Sequence, residues 1–195
     1  MRTLAALALA LSFLPGAGAR AAEPVTALLV IDVQGDYFAG GKLPLQAPEA
    51  AARNAAALIT LFRARHQPVI HVQHASHEEW EPFLEGTPGQ RIHDLVKPAP
   101  GEPVVVKGKP SAFAGTGLGE LLERLGAARV IIAGMQTNVC VQATAEEADA
   151  RGLHPVVVRD ATAARNPALS AGALERLAGQ GIAITTTAAL TGQAR

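Results

Sequence analysis

Three residues with complementary chemistry follow three separate apolar segments of the chain. Asp32 is the second-last residue of the run VIDV, and Lys107 is the last residue of the run VVVK. Cys140 lies seven residues beyond the run VIIA. Each residue alone has an ordinary structural role, as a turn Asp, an edge-strand Lys or a small buried Cys, and Lys109 competes as the functional amine. Together an acid, an amine and a thiol are the parts of a cysteine nucleophile, in which the acid accepts the thiol proton and the cation stabilises the thiolate.

The segment around the thiol reads AGMQTNVCVQATAEEA, and its pattern predicts that a helix begins at about Cys140. A helix N-terminus favours negative charge on sulfur. Successive backbone N–H groups at such a terminus can also hold an oxyanion. These features predict hydrolysis of an amide through a thioester.

Composition excludes several other classes of function. The 195 residues include 17 Lys+Arg and 17 Asp+Glu, so the chain has no basic excess for a nucleic-acid surface or a polybasic membrane patch. A single cysteine excludes an intramolecular disulfide and a Cys-rich zinc site. None of the serines lies in a G-x-S-x-G elbow, which argues against that type of serine hydrolase.

The elements that must position these residues alternate between strand and helix. Apolar runs predict strands over 27–33, 68–72, 103–107, 130–133, 155–158 and 182–185, and helical periodicity predicts helices over 48–66, 118–125, 139–151 and 169–178. Strands this apolar predict one α/β domain, a three-layer α/β/α sandwich with a mainly parallel, six-stranded sheet. Ligands bind beyond the carboxyl ends of such strands, so the acid, amine and thiol are expected at one edge. The long loop over 74–100 is expected to set specificity.

The first 21 residues have the features of an export signal. Arg2 precedes an apolar run that is too short to span a bilayer, and Ala19-Arg20-Ala21 matches a cleavage site. We therefore expect a signal peptide over 1–21, a mature domain over 22–195 that does not associate with the membrane, and a periplasmic or secreted location.

Three motifs occur in order along the chain: LLVIDVQGDYF, VVVKGKPSAFAGTGL and VIIAGMQTNVCVQATAEEA. Over roughly 26–163 they resemble the isochorismatase-like cysteine hydrolases. The resemblance implies a Rossmann-like fold of that family and a catalytic triad of Asp32, Lys107 and Cys140. It selects Lys107 over Lys109, because the family's lysine stands four residues before the serine of SAF, here Ser111.

The resemblance also implies features around the thiol and of the assembly. A non-proline cis peptide is expected between Met135 and Gln136, and the backbone amides of Gln136 and Cys140 would form the oxyanion hole. A homodimer or higher homo-oligomer and a small-molecule substrate are expected. Relatives that cleave a vinyl ether lack the cysteine, so its presence here favours hydrolysis of a small amide or related C–N bond.

Members that resemble nicotinamidases carry zinc on an Asp-x-His motif and a second His. This chain instead has His71, His74 and His77, and no Asp-x-His. His71 and His74 would point to opposite faces of a strand. We therefore expect no metal and no cofactor, with a metal-dependent nicotinamidase-like amidase as one alternative.

Two further alternatives make no use of the thiol as a hydrolytic nucleophile. The protein could be a non-catalytic small-molecule binding module that has kept the pocket, or a redox-sensing thiol protein whose Cys140 forms an intermolecular disulfide or a sulfenic acid.

Six further side chains are candidates for the substrate pocket. An aromatic wall suits a small, flat or apolar ligand, although aromatic residues equally serve as core. Gln34 is expected to share a face with Asp32 and to orient it. The candidates are Gln34, Tyr37, His74, Trp80, Phe83 and Phe113.

Overall fold

The computed structural model describes residues 24–192. A six-stranded parallel sheet lies at its centre, with the order β3-β2-β1-β4-β5-β6. The strands are β1 Val25–Ile31, β2 Val69–His74, β3 Val104–Lys107, β4 Ala127–Met135, β5 Val156–Ala163 and β6 Ala183–Thr185. The helices are α1 Pro48–Ala64, α2 Leu118–Arg124, α3 Gln142–Ala150, α4 Pro167–Gly179 and α5 Thr187–Thr191.

Two apolar cores cover the two faces of the sheet. On one face, Leu28 and Val30 of β1 pack with Leu58 and Phe62 of α1. On the other face, Leu29 of β1 packs into the core formed with α2, α3 and α4. Because alternate residues of a strand point to opposite faces, the unbroken apolar run of β1 supplies both cores. The predicted three-layer α/β/α sandwich is confirmed.

Several strand and helix boundaries differ from the predicted ones, because some strands continue through polar residues after the apolar run has ended. β4 starts at Ala127 and ends at Met135, and β5 extends to Ala163, because their ends carry Arg, Gly, Asp and Thr that interrupt the apolar pattern. β1 ends at Ile31, before Asp32. The helix predicted over 139–151 begins instead as a π-helical turn, Thr137–Val141, and α5 is a short helix that the pattern did not predict.

The predicted signal peptide, residues 1–21, lies outside the described residues. Within residues 24–192, no helix has both the length and the apolar character needed to cross a membrane.

Candidate active site

Asp32, Lys107 and Cys140 meet at the carboxyl edge of the sheet. Asp32 directly follows β1, Lys107 is the last residue of β3, and Cys140 lies in the π-helical turn after β4. The Lys107 ammonium (Nζ) lies 2.7 Å from Asp32 Oδ2 and 3.3 Å from Cys140 Sγ. Asp32 and Lys107 are buried, and the thiol is 5% exposed. The structure thus brings together the acid, amine and thiol that the sequence nominates.

Lys107 has no N–H group left for a further partner. Besides Asp32 and Cys140, Nζ donates to His74 Nδ1 at 3.0 Å and to the backbone oxygen of Lys109 at 3.1 Å. An ammonium has three donors, and here four acceptors surround it. Since an ammonium can only donate, His74 Nδ1 is the acceptor and a neutral ring carries its proton on Nε2.

Burial sets the resting protonation of the acid and the thiol. It raises the pKa of Asp32, and the opposing effect of the Lys107 charge is smaller. Burial, together with the nearby Asp32 charge, also raises the pKa of Cys140 to about 12. Desolvation exceeds the stabilisation of the thiolate by Lys107, so the thiol keeps its proton until a base takes it.

His74 remains neutral beside this cluster. Burial and the Lys107 charge lower the pKa of His74 to about 4. Ligand atoms of Asp32, His74 and Cys140 lie within 4.8 Å of one another, an arrangement that a metal ion could use. The Lys107 ammonium contacts all three side chains, so a built-in cation already supplies the positive charge there.

The backbone around Asp32 explains how it reaches the site. Asp32 adopts φ +47°, in the left-handed region that Asp tolerates better than most residues, and such conformations concentrate at functional sites. Beside it, Gly134 of β4 has φ +121°, and a Cβ there would overlap the backbone of Ile31. Glycine therefore lets β4 approach the end of β1, which places the segment after β4 next to Asp32.

The segment after β4 contains the predicted cis peptide between Met135 and Gln136. The backbone N–H of Gln136 makes no hydrogen bond to other residues in the range 24–192, while its carbonyl accepts from Val139 N and Val141 N. Gln136 and Cys140 both line a cavity of about 420 Å³. This N–H is therefore available to a ligand, as an oxyanion donor must be.

The SAF segment is structural. Ser111 donates to Glu147 of α3 at 2.5 Å, and the Ala112 N–H donates to Thr144 Oγ1 at 3.0 Å. Phe113 is buried in the core of the α2–α3–α4 face, with the Arg151 guanidinium over its ring. The predicted pocket role of Phe113 thus does not match its position, and the segment instead ties the loop after β3 to the helix after Cys140.

The predicted candidates Tyr37, His74 and Phe83 line the cavity together with Cys140. The rings of Tyr37 and Phe83 meet edge to face at 4.8 Å, and that of His74 lies 5.6 Å from Phe83. Phe83 belongs to residues 77–85, here called the wall segment, of which His77, Glu78, Glu81, Pro82 and Phe83 line the cavity. The loop that was expected to set specificity therefore forms one side of the cavity.

Two other candidates lie away from the cavity lining. Trp80 is 77% exposed and points to solvent. Gln34 is buried, but its amide bonds the backbone N–H and carbonyl of His74 and the carbonyl of Gln90. It therefore fixes the end of β2 and does not orient Asp32. Because β1 ends at Ile31, Asp32 and Gln34 are not on a continuing strand and need not share a face.

Asp36 is a residue that sequence reasoning missed. Its buried carboxylate accepts from Lys42 N at 2.9 Å and from Phe83 N at 2.6 Å. Phe83 has φ +63°, which is unusual for an aromatic residue, and the bond from its N–H helps to hold it there. Gly89 packs so closely that a Cβ would overlap the Asp36 carboxylate. Asp36 therefore anchors the wall segment, and the signal in the sequence was an acid directly after Gly35 and before the aromatic pair Tyr37-Phe38.

Comparison with known proteins identifies the family. An isochorismatase domain model matches residues 26–189. The chain belongs to the isochorismatase family. Its six-stranded parallel sheet with helices on both faces is the architecture of the family's solved structures.

The relatives of this isochorismatase-family chain include an uncharacterized protein, a named enzyme and a solved structure. The uncharacterized isochorismatase family protein YddQ of Bacillus subtilis is 42% identical over 71% of this chain and 77% of its own. Maleamate amidohydrolase of Pseudomonas putida is 33% identical over 72% of this chain and 73% of its own. The crystal structure of an isochorismatase family protein from Desulfovibrio vulgaris is 30% identical, with a TM-score of 0.80 over 87% of this chain and 97% of that one.

The three histidines considered as a zinc site do not converge. His71 is buried against Glu102, with Nε2 and Oε2 3.0 Å apart. His77 is exposed and pairs with Glu85, while His74 bonds Lys107. These residues do not fit the zinc site that the resemblance associates with nicotinamidase-like members of the family.

Proposed function

We propose that this protein is a cysteine hydrolase that cleaves a small amide or related C–N bond, with Asp32 as base, Cys140 as nucleophile and Lys107 as the stabilising cation. The observation that carries the proposal is the contact of one buried ammonium with both the carboxylate and the thiol. Asp32 Oδ1 has no hydrogen-bond partner within residues 24–192, so it is available to accept the thiol proton. The relatives include a protein named as an amidohydrolase, which supports the same reaction class.

The first half of the reaction forms a thioester. The proton of Cys140 moves to Asp32, and the sulfur attacks the amide carbon, whose C=O electrons move to oxygen. Both the carboxylate and the sulfur contact Lys107, so the negative charge moves between two positions beside the same cation. The backbone amides of Gln136 and Cys140 would hold the oxyanion, an interaction typically worth 10²–10³ in rate per donor.

The second half returns the enzyme to its starting state. Protonated Asp32 gives its proton to the leaving nitrogen as the C–N bond breaks, which leaves the thioester and a neutral amine or ammonia. Water then loses a proton to Asp32 and attacks the thioester carbon. Collapse releases the carboxylic acid and the sulfur, which takes the proton back from Asp32.

A panel of small amides and ureas, with release of ammonia as the readout, tests the proposal. We expect turnover by the wild type, loss of at least about 10³-fold in Cys140→Ala, and no effect of a chelator. Turnover retained in Cys140→Ala would remove the nucleophile, and loss of turnover with chelator would indicate a metal-dependent amidase. Ligand binding without turnover of any probe would favour a binding module.

Location and assembly are part of the proposal. We propose export with cleavage after Ala21, which intact-mass measurement of the protein from its native host would test.

We also propose a homo-oligomer, supported by the exposed Val104 and Val106 on the edge strand β3, and light scattering would measure its size.

A further inference from the structure

The charges that line the cavity are unevenly distributed. Glu78 and Glu81 line it together with Cys140, whereas none of its lining residues in the described part of the chain is a lysine or an arginine. Of the two histidines in the lining, His74 is neutral near pH 7 because its pKa is lowered to about 4, and the exposed His77 pairs with Glu85. A ligand in this cavity therefore meets negative charge in the wall segment.

Three lysines lie near the cavity and none lines it: Lys42, Lys107 and Lys109, the last an exposed residue between the lining residues Gly108 and Pro110. Lys107 is buried, and all of its donors are directed at Asp32, His74, the Lys109 carbonyl and Cys140. Lys42 donates through Nζ to the backbone oxygens of Glu79 at 2.5 Å and Glu81 at 2.8 Å, so it supports the wall segment. A carboxylate on a substrate would lose hydration without gaining an ion pair.

The same cavity offers favourable contacts to a cation. Phe83 and Tyr37 present aromatic rings in its lining, and cations bind over such rings within about 6 Å of the centroid. Two carboxylates and two aromatic rings around one cavity form a suitable environment for an ammonium group.

We propose that the substrate amide carries a positively charged group away from the scissile bond, and that Glu78 and Glu81 select it. This inference rests on the proposed amide hydrolysis. It separates this protein from the relative named maleamate amidohydrolase, because maleamate carries a carboxylate, whereas the charged carboxylates of this cavity's described lining belong to Glu78 and Glu81 and no lysine or arginine is among its residues.

Three amides of equal length test the proposal: 5-aminopentanamide with an ammonium end, hexanamide with a methyl end, and adipic acid monoamide with a carboxylate end. We expect kcat/KM at low salt to be at least about 10-fold higher for the ammonium amide than for the carboxylate amide. The ratio should shrink in about 0.5 M NaCl, because salt screens exposed charges.

Charge-neutralising variants locate the source of this selectivity. Glu78→Gln and Glu81→Gln should each reduce the ammonium-to-carboxylate ratio about fivefold, the size of one partly solvated charge interaction. Glu79→Gln is the matched control, because it removes the same charge from an exposed neighbour that does not line the cavity. The ratio should stay at the wild-type value in this control.

Calorimetric binding of the same three amides to Cys140→Ala separates failure of this inference from failure of the proposed function. Preference for the carboxylate amide, or equal kcat/KM and equal binding for all three amides, overturns the charge selectivity while hydrolysis stands. Preferential binding of the ammonium amide with no turnover by the wild type supports the selectivity and overturns the hydrolase. Absence of both binding and turnover overturns both.

Discussion

The Lys107 ammonium lies 2.7 Å from the Asp32 carboxylate, and neither side chain is exposed to solvent. Two opposite charges in such a place are costly to desolvate, and each is tolerated because the other is present. The same ammonium reaches the thiol, so this pair serves both the fold and the chemistry.

Removing only the cation should destabilise the fold. In Lys107→Met, the Asp32 carboxylate would be buried without a counter-charge, which typically costs about 3–5 kcal/mol in the free energy of unfolding. In Asp32→Asn/Lys107→Met, both charges are gone and most of that stability should return, whereas amide hydrolysis should be absent from both variants. Urea denaturation measures the stabilities. A double variant that is no more stable than Lys107→Met would contradict this account of the pair.

The plateau in the pH dependence of kcat/KM should be shifted to higher pH on both sides. Activity requires Asp32 charged and Cys140 protonated. Burial raises the pKa of Asp32 above its usual 3.8, so activity should fall on the acid side at a pH above 3.8. Burial raises the pKa of Cys140 to about 12, so no fall is expected near pH 9, where an ordinary thiol titrates. The lowered pKa of His74, about 4, also predicts no change near pH 6.5.

Initial rates of ammonia release from one saturable amide, measured from about pH 4 to pH 10, give this profile. An alkaline fall centred between about pH 8 and pH 9 would mean that the thiol titrates normally and that Asp32 does not control its proton.

The sheet and the three central residues could be predicted because local patterns encode them. Apolar strand runs and the rule that ligands bind at carboxyl strand ends place an acid, an amine and a thiol at one edge without any long-range information, and the family resemblance then selects Lys107 over Lys109. The pKa of Cys140 could not be predicted in this way, because it depends on how far water is excluded by segments distant in sequence. Trp80 and Phe113 show the same limit. An aromatic side chain near a motif can face the cavity, the core or solvent, and only tertiary packing decides which.

Glu102 should protect the fold against acid. It accepts from Arg63 Nε and Nη2 and from Ala99 N and contacts His71, and the Arg63 bonds are the main reason why its pKa falls to about 2. Because its pKa is lower in the folded than in the unfolded state, its contribution is complete above about pH 4.5 and disappears as the pH falls toward 2.

Glu102→Gln should therefore lose about 1–2 kcal/mol of unfolding free energy at pH 7. This value is reduced because the Arg63 side chain is 40% exposed, and solvent screens its interaction with Glu102. The difference from wild type should shrink below pH 4.5. Urea denaturation at several pH values measures it, with the exposed Glu123→Gln as control. A difference that stays constant from pH 7 to pH 3 would show that the charge of Glu102 is not responsible.

Loss of the Asp36 anchor should weaken substrate binding more than the chemical step. Asp36→Ala leaves the N–H groups of Lys42 and Phe83 without their acceptor, at a cost of about 1–3 kcal/mol each where they remain buried. Phe83 then loses a bond that holds it at φ +63°, and the wall segment should shift from the cavity. We expect KM to rise about 10-fold or more while kcat changes less, since Asp36 contacts none of the reacting groups.

Gly89→Ala should reproduce this split from the other side of the same contact. Its added Cβ would overlap the Asp36 carboxylate and push it away from Phe83 N, although every hydrogen-bonding group of Asp36 is retained. Gly172→Ala is the matched control, because a Cβ there meets open space on α4. Steady-state kinetics on one amide compare the three variants. If kcat falls in Gly89→Ala while KM is unchanged, Asp36 acts on the catalytic groups rather than on the wall segment.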